Sequence, residues 1–387
     1  MPGGACRASL RTVAIEWTRI GLTGFGGPPA HIALLRQLVV ERRGWLAAHE
    51  LEDAIAATNL LPGPASTQLA IFCANRVAGP MGAIVGGLGF IVPGVALILA
   101  LSLLFLAESP PNWIVGAGAG AGAAVAAVAL QAGRGLLGPS WKRVGSARDR
   151  RARWVIYALL GSASAALVGP FLVLVLIACG LVELGLRTRT DTLRLHAGPL
   201  ALPLLAVLTT GGVGALAWVA LKVGALSYGG GFVIVPLMQG DAVHVYHWMT
   251  APQFLNAVAL GQVTPGPVVA TVAAVGYAAH GLAGGVLAAV IAFAPSFTFV
   301  LLGAGRFERL RSDVRARAFL DGSGPAAIGA ILGAAIPLAG ALQVTWQFVL
   351  LGVSAVALLG ARAAIVPTLL LAAAVGVIVA LAGGPLP

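Results

Sequence analysis

Apolar residues in this chain do not alternate with polar ones at a strand period. They run on for roughly the depth of a bilayer and stop at short basic or Gly- and Pro-rich breaks. A crossing helix needs about 20 apolar residues. Runs of that order lie at 10–27, 54–73, 81–106, 113–133, 153–168 and 170–186, then at 199–217, 219–237, 254–277, 282–304, 325–342, 346–360 and 363–382. Several are short or interrupted, so the pattern predicts about 10–13 transmembrane segments. The first twenty residues carry Arg7, Arg11, Glu16 and Arg19 among apolar positions. They lack the compact apolar stretch of a secretory signal and read as an amphipathic or first crossing helix.

A single spacing organises these runs. Gly21, Gly26, Gly27, Trp45, Pro62, Gly63 and Pro64 match Gly224, Gly229, Gly230, Trp248, Pro265, Gly266 and Pro267, each 203 positions on (265 − 62 = 203). Phe90 and Phe293 keep the spacing, and Arg19 falls opposite Lys222. Such self-similarity marks a duplicated unit. It divides the chain into residues 1–186, a linker with a connecting helix at 187–213, and residues 214–387.

Composition narrows the class. Charged residues make up 10% of the chain and hydrophobic ones 59%, with 53 glycines. A soluble enzyme is excluded by more apolar surface than one core can hide, and disorder by the same excess. Gly-rich helices pack closely in lipid. The net charge of +11 sits between apolar runs, without interleaved aromatics, so it argues for membrane loops and against nucleic acid. Cys6, Cys73 and Cys179 have no metal-ligand spacing, and neither a metal nor a cofactor is expected.

Basic loops orient the two units. After 81–106 the first unit offers only Glu108, and its basic cluster (Arg134, Lys142, Arg143, Arg148, Arg150, Arg151, Arg153) follows one helix later. In the second unit the loop equivalent to that of Glu108 holds Arg306, Arg309, Arg311, Arg315 and Arg317, and the next, near Gln343, has none. Since Lys and Arg gather on the cytoplasmic side, corresponding loops face opposite sides. The fold predicted is all-α, a polytopic membrane protein of two inverted-topology repeats with discontinuous helices. With thirteen helices the N-terminus is cytoplasmic, and 199–217 is the odd helix that flips the second repeat. Arg36, Arg42 and Arg43 depart from the scheme, in the company of Glu41, Glu50, Glu52 and Asp53.

Each repeat carries two helix interruptions. One is Gly24-Phe25-Gly26-Gly27-Pro28 with Ser227-Tyr228-Gly229-Gly230-Gly231; the other is Pro62-Gly63-Pro64 with Pro265-Gly266-Pro267. Two prolines around a glycine end one helix and let another begin, with Pro64 or Pro267 as its first residue. The following N–H groups, from Ala65 or Val268 onward, then lack intrahelical partners and attract anions. Ser66, Thr67 and Gln68 add hydroxyl and amide donors. Broken helices at matched places point to a central substrate site.

Among charges near the breaks, Arg19 has an acid in Glu16 one turn earlier, whereas Lys222 has none within a turn and is the first candidate to meet an anionic substrate. Arg76 is a weaker candidate. Proton coupling could use Glu16, Asp53, His31 or His49. An intramembrane enzyme is not expected, because Ser66 has no intramembrane His near it in sequence.

The FGGP stretch at Phe25–Pro28, the PGPASTQ stretch at Pro62–Gln68, and in the second half YGGG at Tyr228–Gly231, PLM at Pro236–Met238 and PGP at Pro265–Pro267 resemble the chromate ion transporter family in its long, two-half form. The resemblance runs through about residues 12–105 and 215–305, with Tyr228 replacing the more usual Phe. It implies a carrier of chromate, with sulfate as analogue, exporting it across the bacterial inner membrane. It also implies site positions at Gly24, Phe25, Gly26, Gly27, Pro28, Pro62, Gly63, Pro64, Ser66, Gln68, Gly229, Gly230, Gly231, Pro236, Pro265, Gly266 and Pro267. The partners expected are the oxyanion and membrane lipid, and a homodimer stays open. The alternative is a carrier of another small anion, such as sulfate or an organic acid, because donors at helix ends accept any compact anion.

Overall fold

The computed structural model describes residues 8–58, 63–167, 172–187, 212–227, 232–303 and 313–387, and among these every regular element is helical. The first half contains α1 (Leu10–Thr23), α2 (Pro28–Arg36), α3 (Ala48–Thr58), α4 (Ala65–Phe105), α5 (Asn112–Val144), α6 (Arg148–Leu167) and α7 (Leu172–Arg187). The second contains α8 (Gly212–Leu226), α9 (Ile234–Gln239), α10 (Ala251–Val263), α11 (Thr271–Gly303), α12 (Val314–Gly333), α13 (Ala335–Gly340), α14 (Thr345–Ala355) and α15 (Ile365–Leu381). α4, α5, α11 and the α12–α13 stretch are long and apolar enough to cross a membrane. Large apolar side chains such as Leu159, Leu167, Leu302 and Leu371 point outward. Such a surface is at home in lipid, and the protein is a multi-pass membrane protein. Most of the predicted connecting helix at 199–217 lies outside the described residues.

Local geometry recurs at the spacing read from the sequence. α2 and α9 each run into a π-helical turn, Gln37–Arg42 and Gly240–Val245. The Trp45 amide donates to Val39 O at 2.7 Å, as the Trp248 amide does to Ala242 O at 2.8 Å. Gly44 has φ 59°, and His247 takes nearly the same left-handed conformation with φ 51°.

α4 and α11 are each folded back on themselves. Ala78 and Gly79 interrupt α4, and His280 and Gly281 interrupt α11, both glycines at positive φ. Beyond the bend the arms lie antiparallel. A Cβ at Gly86 would sit 2.5 Å from the Ala74 Cβ, and one at Gly276 only 2.7 Å from the Ala288 Cβ. The arm from Ala65 to Val77 rises about 20 Å at 1.5 Å per residue. That falls short of a hydrocarbon core of about 30 Å, so this arm alone does not cross one.

Helices of the two halves pack on one another. α5 packs on α15 while α12 packs on α7; α6 packs on α12 while α14 packs on α5. α4 and α11 run antiparallel, with Gly87 at Phe297 and Leu99 at Gly285, and α5 meets α12 with Gly133 at Leu332. Glycines permit these approaches. A Cβ at Gly329 would overlap Ala158 O, and one at Gly161 would overlap Ala326 O. Gly329→Ala must therefore part α6 from α12, at no less than the ~1–3 kcal/mol usual for overpacking. We expect its product to elute as aggregate from a detergent sizing column; an unshifted monodisperse peak would contradict this packing.

Candidate functional site

Among the described residues, the interruptions predicted at Gly24–Pro28, Gly63–Pro64 and Pro265–Pro267 are real breaks in the helices. α1 ends at Gly24, whose amide bonds Ile20 O at 2.7 Å. Gly26 and Gly27 follow at φ 99° and 72°, and Pro28 opens α2 as its first residue, where a missing N–H costs nothing. Gly63 has φ 116° and Gly266 φ 98°, a backbone that only glycine adopts freely. One detail is corrected: Pro64 is the cap of α4 and Ala65 its first residue, because Pro64 keeps an extended ψ of 103°. Pro267 likewise precedes a 3-10 turn, Val268–Ala270, that leads into α11. Pro62 and Gly229–Gly231 lie outside the described residues.

The breaks of the two halves touch. The Gly266 amide donates to Gly24 O at 3.1 Å. The contacts are also exchanged. Gly63 lies against Gly224 O, 3.3 Å from its would-be Cβ, and Gly266 lies 3.7 Å from Gly21 O by the same measure. A Cβ built on Gly27, the cap of α2, would lie 3.8 Å from Val268 Cγ2 at the start of the second-half turn. Amides in the first turns of α2 and α4 have no intrahelical acceptor, and the positive ends of the helix dipoles add to them.

Side chains reinforce this junction. His31 is fully buried, with Nε2 2.9 Å from Gly24 O and Nδ1 3.2 Å from Ser66 Oγ. Ser66 thus does have a histidine beside it, supplied from 35 residues away, which a reading along one helix misses. The pair is no nucleophile–base–acid relay, since the far nitrogen meets a carbonyl and not a carboxylate. Thr67 is fully buried, and its Oγ1 finds no hydrogen-bond partner among the described residues. The Gln68 amide packs against Gly63, with Nε2 2.6 Å from the position a Cβ would take.

The charges are arranged differently from their order in sequence. Lys222 is buried and ion-paired with Asp241, 19 residues on in the π turn. Glu16, expected to answer Arg19, instead bonds Arg43 at 2.5 Å, and Arg19 is exposed. Arg76 pairs with Glu50 at 3.6 Å and Arg36 with Glu52 at 3.3 Å, so most basic residues of that departing loop region are matched by acids. Asp53 and His49 are exposed on α3.

A cavity of about 720 Å³ reaches the breaks. Gly26, Pro28, Pro29 and Ala65 line its inner end with Phe232 and Val233 of the second half, and α5, α6 and α12 form its walls. Its charged lining residues are Arg143 and Asp321. Asp321 is held by Arg187 at 2.8 Å, whereas Arg143, exposed, pairs with no acid among the described residues. A smaller polar cleft joins it, where Glu183 receives Arg153 and Arg187, both at 2.8 Å, beside Arg150. From sequence Arg143 reads as one of many loop charges; only the fold singles it out.

The chromate transporter family profile matches residues 11–184 and again 214–380. The chain belongs to the chromate transporter family. It is 32% identical over 366 residues to a chromate transport protein of Cupriavidus metallidurans, covering 91% of this chain and 88% of that one. A chromate transport protein of Pseudomonas aeruginosa is 31% identical over 340 residues, 84% of this chain and 80% of its own length. A probable chromate transport protein of Synechococcus elongatus is 28% identical over 343 residues, 85% and 84%. No solved structure matches the chain significantly. A family of transporters places the chain among carriers and not enzymes.

Proposed function

We propose that the protein carries chromate out of the bacterial cytoplasm across the inner membrane, by alternating access between two inverted repeats. The observation that carries this reading is the Gly24–Gly266 contact: helix breaks from the two halves meet, beside a cavity that Gly26, Pro28 and Ala65 line. Backbone donors suit a tetrahedral dianion without the cost of many buried cations. Inversion is supported by the antiparallel pairing of α4 with α11, the elements that the 203-residue spacing equates. Alternating access follows from two such units rocking about one site.

Direction rests on charge. The basic ends of α5, α6 and α7 surround the mouth of the cavity, which by the loop rule is the cytoplasmic side. Outward passage of a dianion is assisted by about 2.3 kcal/mol per charge per 100 mV of inside-negative potential. The site residues proposed are Gly26, Gly27, Pro62–Gln68, Gly229–Gly231 and Pro265–Val268, with Arg143 as the cation at the entrance. A second reading, a carrier of sulfate or an organic acid, draws on the same backbone donors, which select for compact negative charge more than for the central atom.

The test is radiolabelled chromate flux in inverted vesicles, with sulfate and organic acids as competitors. Arg143→Gln is expected to raise the apparent KM for chromate on the cytoplasmic face by roughly tenfold with Vmax unchanged, and the difference should shrink in high salt. An unaltered KM at low salt would remove Arg143 from the path. Flux inhibited by sulfate far more than by unlabelled chromate would favour the second reading.

A further inference from the structure

His31 is the one ionisable side chain among the described residues that touches the junction of breaks, and transport as proposed does not use it. Its Nε2 shares Gly24 O with the Gly266 amide, so a single carbonyl gathers α2 and both halves. That oxygen can only accept, which puts a proton on Nε2. In a neutral ring Nδ1 is then an acceptor, and the Ser66 hydroxyl must spend its hydrogen on it. Ser66 stands in the first turn of α4, next to Ala65 at the inner end of the cavity.

A second proton reverses that bond. With Nδ1–H formed, Ser66 Oγ accepts from the ring and its own hydrogen is released toward the open end of the helix. The charged ring would then be a buried cation. Around it stand Ser66 Oγ, Gly24 O and the Phe90 ring, nearly perpendicular to it with centroids 5.0 Å apart, all uncharged. The ionisable groups of the neighbouring elements are committed or turned away. Glu16 on α1 bonds Arg43, and Arg19 is exposed. Arg36 on α2 bonds Glu52. On α4 Arg76 bonds Glu50, and Cys73 is a buried thiol. Asp53 on α3 is exposed, Lys222 on α8 is held by Asp241, and the second-half segment from Thr264 to Ala270 has no ionisable side chain. Among the described residues no acid is at hand to balance an imidazolium, and an oxyanion at the helix start is the counter-charge the site can receive.

We propose that oxyanion binding places a proton on His31, so that one proton accompanies each anion through the protein. The proton comes from the aqueous phase that delivers the anion and departs with it. The bond formed is Nδ1–H, and no electron moves. This inference rests on the transport reading and adds a stoichiometry to it: a dianion and a proton carry one net negative charge per cycle.

The experiment is calorimetric titration of the full-length protein in detergent with chromate, at a mildly alkaline pH where chromate is the dianion, in two buffers of different ionisation enthalpy. The wild type is expected to take up close to one proton per anion, and its affinity to rise by as much as about tenfold per unit fall in pH. His31→Gln, able to donate to Gly24 O, should bind with no proton uptake and a flat pH profile. Wild type that binds chromate without taking up protons overturns the proposal by itself, whether or not the variant folds, and leaves transport standing. Equal uptake by wild type and a folded His31→Gln overturns it as well. Wild type that binds no anion overturns the transport reading, and this one with it.

Discussion

Gly266→Ala is expected to reach the membrane folded and to lose most of its transport. Gly266 sits at φ 98°, where a side chain is strained whatever the space around it. The space itself is sufficient: the nearest atoms to a Cβ there lie 3.6 Å away. The cost is thus one of backbone conformation, about 1–3 kcal/mol. The chain can shed it by rotating out of the left-handed region. Doing so turns the Gly266 amide from Gly24 O and misaligns the helix start beyond it. Packing elsewhere is untouched, so sizing profiles and thermal midpoint should stay near wild type while chromate flux per inserted molecule falls by roughly the 5- to 150-fold that 1–3 kcal/mol represents. Gly63→Ala carries the same strain and a collision, 2.6 Å from Gln68 Nε2. It should lose flux and some stability together. Undiminished flux in Gly266→Ala would mean that this turn is mere connection.

How far the sequence alone leads is visible in the same residues. Proline and glycine act on the backbone they belong to, so the interruptions at Gly26–Pro28, Gly63–Pro64 and Gly266–Pro267 were legible without any fold, as was the spacing that equates them. The bends at Gly79 and Gly281 were visible only as gaps between apolar runs. That the arms fold back into hairpins depends on Gly86 meeting Ala74 and on Gly276 meeting Ala288. Partners distant in sequence were not legible at all. His31 reaches Ser66 across 35 residues, and Glu16 turns from Arg19, on its own helix, to Arg43. Helical neighbour rules apply within one turn, while a buried charge takes whichever partner tertiary packing supplies.

Lys222 changes its role for the same reason. Along its helix it is a lone cation free to meet a substrate; in the fold it is buried with Asp241, the first helix of the second half bound to its own π turn. The first half makes a corresponding tie with reversed sign, Glu16 on α1 to Arg43 just past the π turn, at positions that do not match by the 203-residue spacing. Both are therefore expected to brace the break between helix and turn. Lys222→Gln leaves Asp241 buried without a counter-charge, and losing one partner of such a pair costs about 3–5 kcal/mol. We expect poor accumulation and a sharply lowered thermal midpoint. Asp241→Asn added to Lys222→Gln removes the stranded charge and should restore most of the stability, because two neutral amides can bond each other. The double variant then separates the roles. If the pair only braces the break, chromate flux returns with the fold. If Lys222 leaves Asp241 for the anion during the cycle, the double variant is stable and inactive, and the cation that sequence singled out regains a place in the site.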